Sequence, residues 1–306
     1  MIVFGPVPSR RLGKSLGINN IPVKICSYAC VYCQLGRTLK MSIERKAYYE
    51  PEKIFEEAKK KAGNADYITF VPDGEPTLDI NLGKEIELLK EIKRIAVLTN
   101  ASLLWMEDVR NDLMEASLVS LKIDAISHTL WKKIDRPHPK LDLQEIIEGI
   151  IEFSREFKGE IITETMLIDG IDYGMEFEKM AGVIKKIKPS IAYIATPTRP
   201  PAERWVRAAN EETIMEAYDA LSKVARVEYL IGYEGNEFAS HENFRDDILS
   251  ITSVHPMRRD AVEKLLEKHG KDWSEVEEMI KKGELIEIEY EGYKFYMRRI
   301  KSRNNL

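Results

Sequence analysis

Cysteine is scarce. The 306-residue chain has only three, Cys26, Cys30 and Cys33, all in the run Cys26-Ser27-Tyr28-Ala29-Cys30-Val31-Tyr32-Cys33. An odd count at such tight spacing excludes a disulfide framework. With no fourth cysteine and no histidine near the run, the closed tetrahedron of a structural zinc site cannot be completed. Apolar runs are short, far below the roughly 20 residues of a membrane-spanning helix. The opening Met1-Ile2-Val3-Phe4-Gly5-Pro6 lacks a basic stretch and has too short an apolar run for a secretory signal. A reducing, cytoplasmic location is therefore expected. Net charge is −5, so no global basicity draws the chain to nucleic acid, although a local basic face remains possible. H-E-x-x-H does not occur, which removes the common zinc-protease signature. Gly13-Lys14-Ser15 ends like a phosphate-binding loop, but Pro8 stands where that loop needs its first glycine, so an NTPase reading fails. No internal repeat or low-complexity linker is visible. Abundant Lys, Glu and Ile with little Cys is a thermophile-like composition.

What is present is an alternation of short apolar strands and amphipathic helices. Strands are expected at residues 15–19, 67–71, 95–99, 118–123, 161–167 and 191–195. Helices are expected after Pro51 and at 84–93, 107–114, 128–134, 143–157, 176–187 and 211–224. Strands separated by helices imply right-handed crossovers and a parallel sheet. Six such units suit a partial, open (βα)6 barrel, with chemistry at the C-terminal ends of the strands. The pattern changes after about residue 239. Three helices (244–251, 258–269, 273–282) precede two alternating runs (284–290, 293–299) around Glu291-Gly292. This is the outline of a small α+β, winged-helix-like domain, giving domains of 1–238 and 239–306.

Buried inert cysteines would not cluster as Cys26, Cys30 and Cys33 do. Thiolates hold iron–sulfur clusters, and three of them leave one iron of a four-iron cluster open. The C-x3-C-x2-C spacing, with Tyr32 before the last cysteine, closely resembles the motif of the radical S-adenosylmethionine (SAM) enzymes. That resemblance implies a [4Fe–4S] cluster on Cys26, Cys30 and Cys33, with SAM chelating the open iron. Cleavage of SAM to a 5'-deoxyadenosyl radical would then abstract hydrogen from a substrate. It also implies the partial-barrel fold and an external electron donor of flavodoxin or ferredoxin type.

One strand later stands Asp73-Gly74-Glu75-Pro76-Thr77-Leu78. Read alone it is a turn, in which Gly74 permits close backbone approach and Glu75 supplies acceptors for an ammonium group. Its position matches the family motif for the SAM amino group, which assigns Gly74, Glu75 and Pro76 to cofactor binding. Further strand ends supply Thr99-Asn100, Lys122 with Asp124, Glu164 with Thr165, and Thr196-Pro197, either as helix caps and turns or as cofactor and substrate contacts. Asn100 and Asp124 are the leading candidates for the SAM carboxylate or ribose, with Glu164 behind them. Backbone at Tyr32 and Ala195 resembles the family's adenine-binding positions. Arg10-Arg11 either binds an anion at the mouth or forms a solvated turn. His138, in Arg136-Pro137-His138-Pro139, is either a proton donor or an ordinary loop histidine. Arg199-Pro200-Pro201 is a second stiff rim loop.

Several stretches, including residues 5–17, Gln34-Leu35-Gly36-Arg37 and Ile123-Asp124-Ala125, resemble the branch grouped with the wyosine synthases, which build a tricyclic base on a tRNA guanosine. The resemblance covers most of residues 1–235. Those enzymes carry a second cluster on additional cysteines, and this chain has none to spare. The same count excludes methylation of rRNA adenine through two further cysteines, and no cobalamin-binding domain is visible. The expected substrate is a nucleoside of tRNA or another RNA, approached through the C-terminal module and the basic run Lys294, Arg298, Arg299, Lys301, Arg303. The alternatives are a protein or peptide, including a glycyl-radical enzyme, or a non-enzymatic iron–sulfur regulator.

Overall fold

The computed structural model describes residues 2–232 and 243–299. Apolar runs such as Ile95-Ala96-Val97, buried on both faces, build strands covered on both sides, as parallel sheets require. The elements in chain order are β1 (Val3–Ser9), β2 (Gly13–Ile18), the two-residue strands β3 (Ile25–Cys26) and β4 (Lys40–Met41), α1 (Pro51–Lys61), β5 (Tyr67–Phe70), a 3-10 turn (Pro76–Leu78), α2 (Leu82–Leu89), β6 (Arg94–Thr99), α3 (Glu107–Leu113) and β7 (Leu118–Lys122). They continue with α4 (His128–Ile134), α5 (Leu143–Glu156), β8 (Glu160–Met166), α6 (Glu176–Ile187), β9 (Ile191–Ala195), α7 (Glu211–Leu221) and β10 (Val227–Leu230).

The large sheet has eight strands in the order β1-β2-β5-β6-β7-β8-β9-β10, parallel from β2 to β10. It is the curled half-barrel that the strand–helix alternation predicts. Two strands exceed the expected six. Strand β1 pairs antiparallel to β2, with a register shift between Phe4 and Val7. Its Gly5, Pro6 and Pro8 interrupt the alternation that marks a strand, which hides it in the sequence. Strand β10 is a short edge, mostly half-buried, and gives little periodic signal.

Local chemistry fixes the helix ends. Asp142 accepts from the Gln144 and Glu145 amides (2.8 and 3.1 Å) at the start of α5, and Asn210 accepts from Thr213 N (2.9 Å) at the start of α7. Residues Ile146, Ile147, Ile150 and Phe153 form the buried stripe of α5.

The remaining elements are α8 (Phe244–Val254), β11 (Met257–Arg258), α9 (Arg259–His269), α10 (Ser274–Lys281), β12 (Leu285–Tyr290) and β13 (Tyr293–Arg298), with a separate sheet in the order β11-β13-β12. The third strand, β11, was not expected. Phe4 and Val7 of β1 join Phe244, Ile248, Ile251, Met257 and Tyr296 in one apolar cluster. Tyr290 also donates to the Pro197 carbonyl (3.3 Å). The C-terminal elements thus pack on the barrel through its first strand and the loop after β9. The expected domain boundary at 238/239 falls outside the described residues. No helix among those described is long and apolar enough to cross a membrane.

Candidate radical active site

All parallel strands end on one side, and a cavity of about 340 Å³ opens there. Cys26, Cys30, Cys33, Tyr32, Gly74, Glu75, Asn100, Glu164 and Ala195 all line it, with Thr99, Lys122, Thr196 and Pro197. The topology alone requires this convergence, because each residue lies at or just beyond a strand's C-terminal end.

The cysteine loop follows β3. It is tightened by Cys33 N donating to Cys30 O (3.1 Å) and Gly36 N donating to Cys33 O (3.0 Å). The three thiols face different partners. Asn100 Nδ2 points at Cys26 Sγ (3.6 Å), Cys30 Sγ lies against Asp135 Oδ1 (3.4 Å), and Lys24 Nζ donates to Cys33 Sγ (3.5 Å). Burial pushes the Cys26 thiol up to about 12, and burial with the nearby Asp135 carboxyl pushes Cys30 well up too. Thiols in this setting stay protonated until a metal supplies the charge that ionises them. Among the described residues no trio of His, Cys, Asp or Glu converges on a point for a single ion. A cubane-type cluster offers a separate iron to each thiolate, so three spread sulfurs beside one cavity fit it.

Glu75 is 1% exposed and makes four hydrogen bonds. Its Oε1 accepts from Thr77 N (3.1 Å), Thr77 Oγ1 (2.7 Å) and Thr99 Oγ1 (2.5 Å), while Oε2 accepts from Asn100 N (2.8 Å). Burial raises its pKa and these donors oppose the rise. Glu75 therefore ties the end of β5 to the end of β6, with Oε2 accepting only one of these bonds. Gly74, which lines the cavity, also packs against Ile25 O, which a Cβ would approach to 1.9 Å. With Glu75 N donating to the same carbonyl (3.2 Å), Gly74 clamps the Gly-Glu-Pro turn onto the strand that carries Cys26.

Some of the anticipated residues do not line the cavity. Pro76 is buried at the start of the 3-10 turn. Thr165 donates inward to the Ile123 carbonyl (2.7 Å). Asp124 accepts from the Tyr32 hydroxyl and from Met166 N (2.7 Å), two residues that do line the cavity. Burial and the Asp124 charge hold both the Tyr32 hydroxyl and the neighbouring Asp135 carboxyl well above their ordinary ranges. His138 does not line the cavity either, and its Nδ1 accepts from Lys140 N in a local turn (3.3 Å).

The rest of the lining forms a second wall: Phe4, Val7 and Pro8 of β1 and His255, which were unforeseen, with Gln34 and the anticipated Arg10, Arg11 and Arg199. Arg11 and Lys122 share Glu164, while Arg10, exposed in the turn after β1, donates to the Ile231 carbonyl (2.8 Å). Arg199, 7% exposed, donates to Gln34 Oε1 (3.1 Å) and contacts His255 Nε2 (2.8 Å). These residues come from distant segments with no local motif, so only the folded chain brings them together.

Residues 20–183 match the family described as the Radical SAM superfamily. A UPF0026 protein of Methanocaldococcus jannaschii is 48% identical over 99% of this chain and 98% of its own length. Among solved structures, the fold is similar to Streptococcus suis SuiB bound to S-adenosylmethionine (TM-score 0.53, 11% identity, 70% of this chain and 50% of that one). A radical SAM methyltransferase from Sphaerobacter thermophilus is similar as well (TM-score 0.52, 16% identity, 70% of this chain and 66% of that one). The chain belongs to the radical SAM superfamily, enzymes that use a [4Fe–4S] cluster and SAM.

Proposed function

We propose that Cys26, Cys30 and Cys33 hold the cluster, that SAM binds between it and the Glu75–Asn100 strand ends, and that the substrate is a nucleoside within an RNA, a tRNA foremost. When bound, the cluster and SAM supply a one-electron reductive cleavage and a hydrogen-abstracting 5'-deoxyadenosyl radical. The chain's own residues bind, orient and shield. Glu75 and Asn100 present an acceptor and an amide beside the cysteines. Tyr32, held by Asp124, offers a fixed flat face at the cavity. The apolar β1 wall and the C-terminal elements packed on it limit water access, which preserves a radical.

The observation that carries the reading is the single cavity shared by three cysteine sulfurs and the polar ends of the neighbouring strands. Arg10, Arg11, Lys122, Arg199 and His255 on its walls favour an anionic substrate such as a nucleotide. The order helix, strand, two helices, two strands, with a sheet ordered β11-β13-β12, supports reading these elements as a winged-helix-like module, a kind that can dock nucleic acid. Part of the basic run invoked for that docking, Lys301 and Arg303, lies outside the described residues, and Lys294 is engaged with Glu287 (2.8 Å). A thiolate-held cluster requires a reducing compartment, which supports a cytoplasmic site of action.

The test is anaerobic. Reconstituted protein, SAM and dithionite are incubated with and without tRNA, and 5'-deoxyadenosine is quantified. The expected result is a higher yield with tRNA and none of that increase after RNase treatment. A yield indifferent to RNA but raised by a protein fraction would replace the nucleoside with a peptide substrate.

A further inference from the structure

Lys24 is 2% exposed, two residues before the first cysteine. Its backbone adopts φ +63°, a left-handed conformation that favours Gly or Asn and costs other residues free energy. The main chain is clamped on both sides: Lys24 N donates to Asp73 O (2.7 Å), while Lys24 O accepts from Leu39 N and Lys40 N (both 3.1 Å). The ammonium donates to Gly36 O (2.6 Å) and Cys33 Sγ (3.5 Å). Among the described residues no carboxylate forms an ion pair with it. A buried ammonium without a counter-charge is costly. The negative charge on offer is that of the cysteine site itself.

We infer that Lys24 is the built-in counter-ion of the cluster, a positioning residue that acts through Cys33 to raise the cluster's reduction potential. The inference rests on Cys26, Cys30 and Cys33 being the ligands. Three thiolates leave an oxidised four-iron core with net negative charge, and the electron that reduces it adds one more. A fixed cation with an N–H···S hydrogen bond stabilises the more negative state, and net charge and hydrogen bonds to sulfur are established determinants of such potentials. Neither of the other two thiols receives a hydrogen bond from the ammonium: Asn100 Nδ2 points at Cys26 Sγ, and Cys30 lies against the Asp135 carboxyl group. The electron comes from the external donor, dithionite in the assay.

The test compares native protein with Lys24→Gln, which keeps a donor for Gly36 O but removes the charge, and Lys24→Arg, which keeps the charge. Each is reconstituted anaerobically, assayed for iron and sulfide, and titrated potentiometrically with EPR detection. In Lys24→Gln the reduced fraction at a fixed potential should fall about tenfold, a midpoint drop of about 59 mV for one electron. Lys24→Arg should recover most of that drop. Loss of the cluster from Lys24→Gln but not from Lys24→Arg would support the same role more strongly. A fully loaded Lys24→Gln with an unchanged midpoint overturns the inference, as does loss of the cluster from both variants, which would make Lys24 a loop-shaping residue. Native protein that binds no cluster would instead overturn the ligand assignment on which the inference depends.

Discussion

On the wall that carries the cysteines, each functional side chain comes from a short contiguous motif. The opposite wall draws Arg10 and Arg11 from one turn, Gln34 from another, Arg199 from the loop after β9 and His255 from the end of α8. The first wall is bound together between the ends of neighbouring strands, with Gly74 and Glu75 seated on Ile25 O and Glu75 bridging to Thr99 and Asn100. The second is held by contacts across the whole chain, such as Arg199 with His255 and Phe4 with the C-terminal elements. Common chemistry can be encoded in a compact motif. The surface that meets a particular substrate is assembled by the fold.

Changes on the two walls should therefore separate cleanly. The largest effect is expected from Cys30→Ala, which should lower iron from about four per chain to near background and abolish SAM cleavage. Iron retained at four per chain would remove Cys30 from the ligand set. Gly74→Ala comes next, because its new Cβ would sit 1.9 Å from the Ile25 carbonyl oxygen. A cost of about 3 kcal/mol is expected from such overpacking, seen as a lower melting temperature and weaker iron retention. An unchanged melting curve would show that the turn is not clamped as described. Glu75→Gln replaces an acceptor oxygen by a donor amide within a set of donors, and about a tenfold loss of SAM affinity should follow with iron content intact. Equilibrium dialysis with labelled SAM checks this.

On the other wall, His255→Ala should leave iron content and SAM affinity as they are and reduce the substrate-dependent rise in 5'-deoxyadenosine about tenfold. Impaired SAM affinity in that variant would erase the distinction between the walls. The smallest functional effect is expected behind the motif wall, at Glu85. Asn20 donates to both Pro76 O (3.3 Å) and Glu85 Oε2 (3.2 Å), so Glu85 supports the Gly-Glu-Pro turn from below. Burial, reinforced by the Asp79 charge, raises the Glu85 pKa to about 9. Between the ordinary carboxyl range and that value the folded state holds a proton that the unfolded chain releases, so stability falls as pH rises. Glu85→Gln removes this slope of about 1 kcal/mol per pH unit. Melting temperatures of the two proteins should nearly coincide at about pH 5 and diverge in favour of the variant toward about pH 9.

The same division governs what was legible in the sequence. Helices at 128–134 and 176–187 and the strand at 191–195 match their observed bounds, because their apolar spacing is regular and their neighbours polar. The three cysteines and the Gly-Glu-Pro turn were legible because the chemistry needs those residue types at fixed short spacing. Strand β1 was not, since Gly5, Pro6 and Pro8 lack strand propensity and the strand is held by its pairing with β2 and by Phe4 and Val7 packing with α8. Nor was the true partner of Gly74, because a sequence shows that space is needed but not what fills it. Arg11 with Glu164, and Arg199 with Gln34 and His255, depend on contacts over long stretches of chain and leave no periodic trace.

The central claim is that three cysteines leave one iron for SAM. Its most direct test is the EPR spectrum of the reduced, reconstituted protein recorded with and without SAM. A changed line shape on adding SAM, absent in Cys30→Ala for want of the cluster, is the predicted result. A full four-iron signal that SAM leaves unaltered, while dialysis shows SAM bound, would contradict the account.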